Sequence, residues 1–240
     1  MIKSDIGLVG LAVMGENLAL NLEQKGYRVS LYNRLRENSP QAVDSFLANK
    51  GKNKHFIGTH SPKEFIESLK SPRKILLMIR AGHPVDEMIT TLLPFLKKGD
   101  TIIDGGNSDY RDTQRRENEL REKGIFFVGC GISGGEEGAL HGPSIMPGGS
   151  DEIKKEILPV LQNIAAHLDD ETPCCSWIGP DGSGHFVKTV HNGIEYGDMQ
   201  LIAEAYSLLN VLQKGDHEAT AQTFESWNKG VLDSYLIGIT

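Results

Sequence analysis

The chain has 240 residues, 39% of them hydrophobic and 24% charged, the composition of an ordinary globular protein and enough material for one large domain or two smaller ones. A net charge of −7, with both signs mixed along the chain, leaves no basic stripe for nucleic acid or an anionic membrane surface. The three cysteines, Cys130, Cys174 and Cys175, lack metal-ligand spacing, so no metal is expected, and the adjacent pair closes a disulfide only with strain. A reducing, cytoplasmic setting fits this usage. The N-terminus "MIKSDIGLVGLAVMG" has no long apolar run and resembles neither a signal peptide nor a membrane span.

In chain order, short apolar runs alternate with helical patterns. "DIGLVG" precedes a helix over 14–25, "RVSLYN" a helix over 40–48, "HFIGT" a helix over 62–69, and "KILLMI" a helix over 85–96. Then come "TIIDGG" and a charged helix over 110–122, "IFFVGC" and a helix over 151–168, and a last strand, "CSWIG". Strands buried on both faces read as continuous apolar runs, so the pattern predicts an α/β fold, a Rossmann-like, doubly wound and mostly parallel sheet. Beyond "GPDGSG" only helical periodicity follows, over 185–212, 218–229 and from Val231 onward. The expected domains are therefore a nucleotide-binding domain over 1–180 and the first helices of an all-helical domain over 181–240. The roughly sixty residues of the second are little for an independent core, as in a fragment of something longer.

The stretch "GLVGLAVMGENLALNLEQKGYRVSLYNR" sets a glycine turn between a strand and a helix. Gly10 permits the tight turn, Ala12 leaves room for a pyrophosphate, and Gly15 lets the helix pack closely with its N-terminus toward the phosphates. Such turns also join strands and helices without a ligand, but the strand-turn-helix-strand context makes Gly10, Leu11, Ala12, Val13, Met14 and Gly15 an expected dinucleotide site, as a GxAxxG rather than a GxGxxG motif. After the second strand stand Asn33, Arg34, Leu35 and Arg36, where NAD sites usually carry a carboxylate for the ribose 2'-hydroxyl. An arginine there pairs instead with a 2'-phosphate, which favours NADP; as loop residues alone, both arginines would simply be solvated.

Ligands of open α/β sheets bind beyond the carboxyl ends of the strands. Those ends read "RAGH", "DGGNSDYRDT" and "GCGISGGEEGALHGPSIMPGG". The last is too glycine-dense for a helix, and its Ser133, Gly134 and Gly135 offer hydroxyl and N–H groups to an anion. Asn107, at the end of the fifth strand, is positioned to bridge cofactor and substrate. On the following helix, Lys188, His191, Asn192, Glu195 and Tyr196 share a sector of about 140°, opposite Phe186, Val187, Val190 and Ile194. A solvated face is the usual meaning of such a sector. This one lacks the Glu-Lys mixture of a solubilising surface, and in the first turns the helix dipole and desolvation both favour a neutral Lys188, suited to a general base.

The segments "GLAVMG", "DGGNSDYRDT", "GISGGEEGALHGPSIMPGG", "GSGHFVKTVHNGIEYGDMQLIAEAY" and "LDSYLIGIT" resemble the long-chain 6-phosphogluconate dehydrogenase family from Ile6 to the last residue. The resemblance implies NADP-dependent oxidative decarboxylation of 6-phospho-D-gluconate to ribulose 5-phosphate. It implies Lys188 as the base for the 3-hydroxyl and Glu195 as the acid that protonates C1 of the enediol, two turns apart or roughly 10 Å along the helix axis. His191, Asn192, Ser133, Gly134 and Gly135 match substrate-binding positions, and Tyr196 a phosphate contact. Asn107 matches a position touching cofactor and substrate, and Ile79, Arg80 and Ala81 a cofactor-binding loop.

Leu35 replaces the threonine usual in that family, Arg80 stands where lysine is common, and "ALHGPS" replaces "ARYGPS". Full-length relatives are about twice as long and form homodimers largely through their helical domain, which also supplies further substrate-binding residues. The 240 residues alone are expected to bind NADP yet turn over poorly. The competing readings are a β-hydroxyacid dehydrogenase for a small unphosphorylated acid, against which "HNGIEY" counts, and a non-catalytic nucleotide-binding fragment.

Overall fold

Among the residues that the computed structural model describes, 2–34 and 42–240, seven strands form, six of them from the expected apolar runs. They are Ile6–Val9 (β1), Val29–Tyr32 (β2), Phe56–Thr59 (β3), Lys74–Leu77 (β4), Thr101–Asp104 (β5), Phe126–Ser133 (β6) and Ser144–Gly148 (β7). Their order is β3-β2-β1-β4-β5-β6-β7; all neighbours pair in parallel except β6 and β7, which are antiparallel. Alternation of side chains divides the core between the two faces. Leu8, Leu31, Leu76, Ile103 and Val128 bury on one face, and Val9, Ile75, Leu77, Ile102 and Phe127 on the other.

The first face packs on helices Val13–Gln24 (α1), Gly135–His141 (α6) and Asp151–Ile164 (α7), through Leu18, Leu22, Ala139, Ile157 and Leu161. Asn21, 1% exposed, ties the three together by donating to the carbonyls of Ala139 and Ile164. The second packs on Pro62–Glu67 (α3), His83–Leu92 (α4) and Tyr110–Arg121 (α5), through Phe65, Val85, Met88, Leu92 and Leu120. Helix Ala42–Ala48 (α2) precedes β3, and Pro40, where its predicted span began, falls outside the described residues. Strand order reverses between β1 and β4, so the doubly wound switch point lies between the turns that follow them.

Two expectations around β7 are corrected. The glycine-dense loop after β6 contains α6 and β7: its glycines sit at the helix ends, with Gly134 at φ 140° and Gly142 at φ 138°, while Ala139 enters the core. "CSWIG" is not a strand and makes only an isolated bridge, Ile145 to Cys175. The reason is Pro147. Its carbonyl faces outward and accepts from Ile178 N–H, so its absent N–H would have pointed the same way. The three cysteines are free thiols.

By contacts the chain divides into Met1–Thr189 and Val190–Thr240. The division falls inside a helix of 30 residues, Ser183–Leu212 (α8). In the second unit, His217–Trp227 (α9) is capped by Asp216 and Tyr235–Ile239 (α10) by Ser234, so the helix expected from Val231 starts later. Phe224 and Ile237 are its buried apolar residues, with Phe224 against Tyr206 and Trp227. Leu208, Val211 and Leu212 are 65–76% exposed, in keeping with how little core so short a segment can bury. No helix among the described residues is long and apolar enough to cross a membrane.

The start of α8 rests on bare backbone. A Cβ on Gly184 would come within 2.2 Å of the Gly129 carbonyl and 2.4 Å of the Met146 carbonyl. Just before it, Asp181 sits in a left-handed turn at φ 53°. Beneath lies Glu117, 4% exposed, its carboxyl pushed up to about 7 by burial and by the neighbouring Asp181 charge.

Two measurements follow. Gly184→Ala gains about 1 kcal/mol of helix propensity but meets backbone that cannot retreat, so urea unfolding is expected to show a net loss of roughly 2 kcal/mol. For Glu117 the acid form is the one favoured by folding, so stability is full below its unfolded value of 4.5 and declines as pH rises to about 7. Between pH 4.5 and 8, thermal melts are therefore expected to show the parent chain losing ground to Glu117→Gln.

Candidate functional site

The turn after β1 is built for close approach. Gly10 has φ 101°, and a Cβ on it would lie 2.3 Å from the Met78 carbonyl; one on Gly15 would lie 1.9 Å from the Gly10 carbonyl. Leu11 N–H donates to Asn33 Oδ1 at 3.1 Å, fastening the turn to the end of β2. Helix α1 then starts at Val13, with Ala12 at its N-cap making no side-chain cap bond. Ala12 and Val13 are exposed, so the first N–H groups of a 12-residue helix face outward at its positive end. A glycine turn with no room for side chains, ending in an uncapped helix, fits a dinucleotide pyrophosphate.

Beside it, a cavity of about 50 Å³ is lined by Val9, Asn33, Arg34, Ile79, Arg80, Pro84 and Met88. The structure thus brings Asn33, Arg34, Ile79 and Arg80 together, with Ala81 next on the same loop. Leu35 and Arg36 lie outside the described residues. The reading of the sequence missed Glu87. Its Oε2 is 2.5 Å from Arg34 Nη1, and its Oε1 is 3.2 Å from His83 Nδ1. The Arg34 guanidinium holds the Glu87 carboxyl below the usual carboxylate range. No signal in the sequence pointed to this pair, because it joins the end of β2 to α4 across the switch point.

The loop carrying Asn107 is anchored by Asp104, which is fully buried. Asp104 accepts from Gly106 N–H at 3.0 Å and from Ser108 Oγ at 2.7 Å, leaving Asn107 exposed between them. Arg116, 1% exposed, lies 3.7 Å from Asp104, donates twice to Asp86 and donates to the Gly82 carbonyl at 3.0 Å. Those bonds to Arg116, and one more to Arg115, hold the Asp86 carboxyl at about 2. One buried guanidinium therefore joins the loops after β4 and β5. Arg116 reads in the sequence as one more charge on a solvated helix, which is why it escaped notice. Ser133 ends β6, half-buried, and Gly134 and Gly135 follow it, exposed, at φ 140° and 60°.

Helix α8 reaches the sheet at β6. A Cβ on Gly129 would stand 2.9 Å from His185 Nδ1, and one on Gly131 would stand 2.6 Å from Lys188 Cβ. Two glycines on one face of the strand thus accommodate two side chains one turn apart on the helix. His185 is fully buried and shares a 2.6 Å hydrogen bond with Thr113; desolvation pushes its pKa down, keeping the ring neutral. Lys188 is only 6% exposed, so the polar face of the helix is not a solvated one at this point. Further along, His191 Nδ1 lies 3.1 Å from Asn192 Oδ1 and 3.6 Å from Glu195 Oε2. Tyr196 is 70% exposed, and so, by about half or more, are Phe186, Val190 and Ile194 of the apolar sector. Among the described residues, no cluster of three or more histidine, cysteine or acidic side chains offers a metal site.

Comparison with known proteins bears on this geometry. A family model described as the NAD binding domain of 6-phosphogluconate dehydrogenase matches residues 5–179, and one described as the C-terminal domain of that enzyme matches 184–240. The NADP(+)-dependent, decarboxylating 6-phosphogluconate dehydrogenase of Bacillus subtilis is 55% identical over 240 residues, all of this chain and 50% of the relative. The decarboxylating enzyme of Candida albicans is 55% identical over 99% of this chain and 45% of its own. Plasmodium falciparum 6-phosphogluconate dehydrogenase, solved in its apo form, with its cofactor NADP+ and with its substrate 6-phosphogluconate, superposes with a TM-score of 0.88 at 45% identity, over 98% of this chain and 50% of that one. A 3-hydroxyisobutyrate dehydrogenase of Mycobacterium tuberculosis, at 20% identity and a TM-score of 0.75, shares the fold. The chain spans about half the length of the curated relatives it matches.

Proposed function

The chain belongs to the 6-phosphogluconate dehydrogenase family, and from that premise we propose that it contributes the cofactor site and the catalytic helix of an NADP-dependent oxidative decarboxylation of 6-phosphogluconate. The observation that carries the reading is Lys188: an amine 6% exposed, seated on Gly131 of the last long parallel strand, in a family whose Plasmodium falciparum member has been solved with NADP+ and with 6-phosphogluconate. Residues 1–180 are the dinucleotide-binding domain, and 181–240 the first helices of a substrate and dimerisation domain.

In this reading Gly10, Leu11, Ala12, Val13, Met14 and Gly15 hold the pyrophosphate, Arg34 with Asn33 the 2'-phosphate end, and Ile79, Arg80 and Ala81 the flank of the dinucleotide. NADP, when bound, supplies the acceptor for the hydride leaving C3 of the sugar acid. Lys188 takes the proton of the 3-hydroxyl, as a general base held in place against the sheet. The resulting β-keto acid loses carbon dioxide, and Glu195 gives a proton to C1 of the enediol that remains. Asn107, Ser133, Gly134, Gly135, His191, Asn192 and Tyr196 orient the sugar acid and its phosphate. The 240 residues taken alone bind NADP and turn over slowly, since they span about half of each relative.

Titration of NADP and NAD against the chain tests the cofactor site. Arg34→Ala is expected to weaken NADP by about tenfold, the scale of one charge-assisted contact at an exposed arginine, and to leave NAD nearly unchanged; equal losses would contradict the 2'-phosphate role. In the whole protein, Lys188→Met is expected to lower NADPH formation by at least about a hundredfold while NADP affinity holds, and an active Lys188→Met enzyme would remove the proposed base.

A further inference from the structure

Arg34 is the side chain best suited to a 2'-phosphate, yet in this structure it is already engaged: its Nη1 lies 2.5 Å from Glu87 Oε2. Glu87 is ionised, held below the ordinary carboxylate range by that guanidinium and by His83 on the preceding turn of α4. Asn33, the other polar group at this end, already accepts from Leu11 N–H, and Arg34 and Glu87 are both half-exposed at the mouth of the small cavity that Arg34 helps to line.

From this geometry we infer that Glu87 is a specificity-determining residue of the dinucleotide site: it competes with the 2'-phosphate for Arg34, and so sets how strongly the pocket separates phosphorylated from unphosphorylated adenosine ribose. The inference rests on the cofactor reading above. A 2'-phosphate reaching Arg34 must displace a carboxylate of its own sign, or stand beside it. An unphosphorylated ribose meets no such conflict, because a hydroxyl donates readily to a carboxylate, the role an acidic residue at the end of the second strand plays in NAD sites. Here the carboxylate arrives from α4 instead, and its effect is opposite in sign to that of Arg34.

Adenosine 2',5'-bisphosphate and 5'-AMP differ only in the group at issue, so calorimetric titration of both isolates the effect from catalysis. Glu87→Gln keeps the shape of the side chain and removes the charge. It is expected to bind the bisphosphate about threefold to tenfold tighter, the range for a like charge beside an exposed ion pair, with AMP unchanged or slightly weaker and the gain shrinking at high salt. In an Arg34→Ala background the gain is expected to fall by at least half, since there is no guanidinium left to release. Weaker bisphosphate binding by Glu87→Gln, equal tightening of both ligands, or no change at all would each overturn the proposal. A parent chain that prefers the bisphosphate while Glu87→Gln matches it sinks only the role of Glu87. A parent chain with no preference, unaffected by Arg34→Ala, sinks the cofactor reading with it.

Discussion

Everything at the site depends on a helix lying directly on the backbone of two strands. Side chains normally hold a helix about 10 Å from a sheet, and this spacing would keep any helical residue well above the strand ends. Gly129, Gly131 and Gly148 on the strands and Gly184 on α8 remove that layer, so His185 and Lys188 occupy space that strand side chains would otherwise fill. The loss of apolar contact is offset by polar ones: His185 meets Thr113 of α5, and backbone meets backbone along the hairpin. Lys188 is therefore buried directly against the strand backbone at Gly131.

A second constraint keeps the loops after β4 and β5 in register. Asp104 and Arg116, both buried, and Asp86, partly exposed, form a line of charges running from β5 through α5 to α4. Such a line is costly to assemble and more costly to break at one member, because the survivors stay buried without a partner. Its use here is geometric. The loop after β4 and the loop after β5 both hang from Arg116, by the Gly82 carbonyl in one case and through Asp104 in the other. Loops built from glycine and small polar residues have little apolar material to fix their shape, and this guanidinium fixes it for them.

Much of this was legible in the amino-acid order. The parallel strands announce themselves as continuous apolar runs because both of their faces are buried, and the glycine turn announces itself because no other residue fits at Gly10. Lys188 stood out for the company it keeps on one helix face. What stayed hidden depends on partners remote in the chain. Arg116 and Glu87 look like any surface charge until Asp104 and Arg34 are set beside them. The β6–β7 hairpin was masked by its own glycines, which read as a loop although they serve as helix ends and as clearance for α8. "CSWIG" misled in the opposite way: its apolar content is that of a strand, but apolar content does not provide a neighbour with free N–H groups.

That last point reaches beyond the site. The outer margin of a sheet is normally a row of open donors and acceptors on which another chain can add itself. At β7 the margin is interrupted: Pro147 contributes a carbonyl but no donor, and the chain after α7 comes back to cover that carbonyl with Ile178 and to give Ile145 its single bridge. On this side the sheet is closed to growth by strand addition. Pro147 and the returning chain together thus leave the hairpin that seats α8 few open groups on which a second copy could pair.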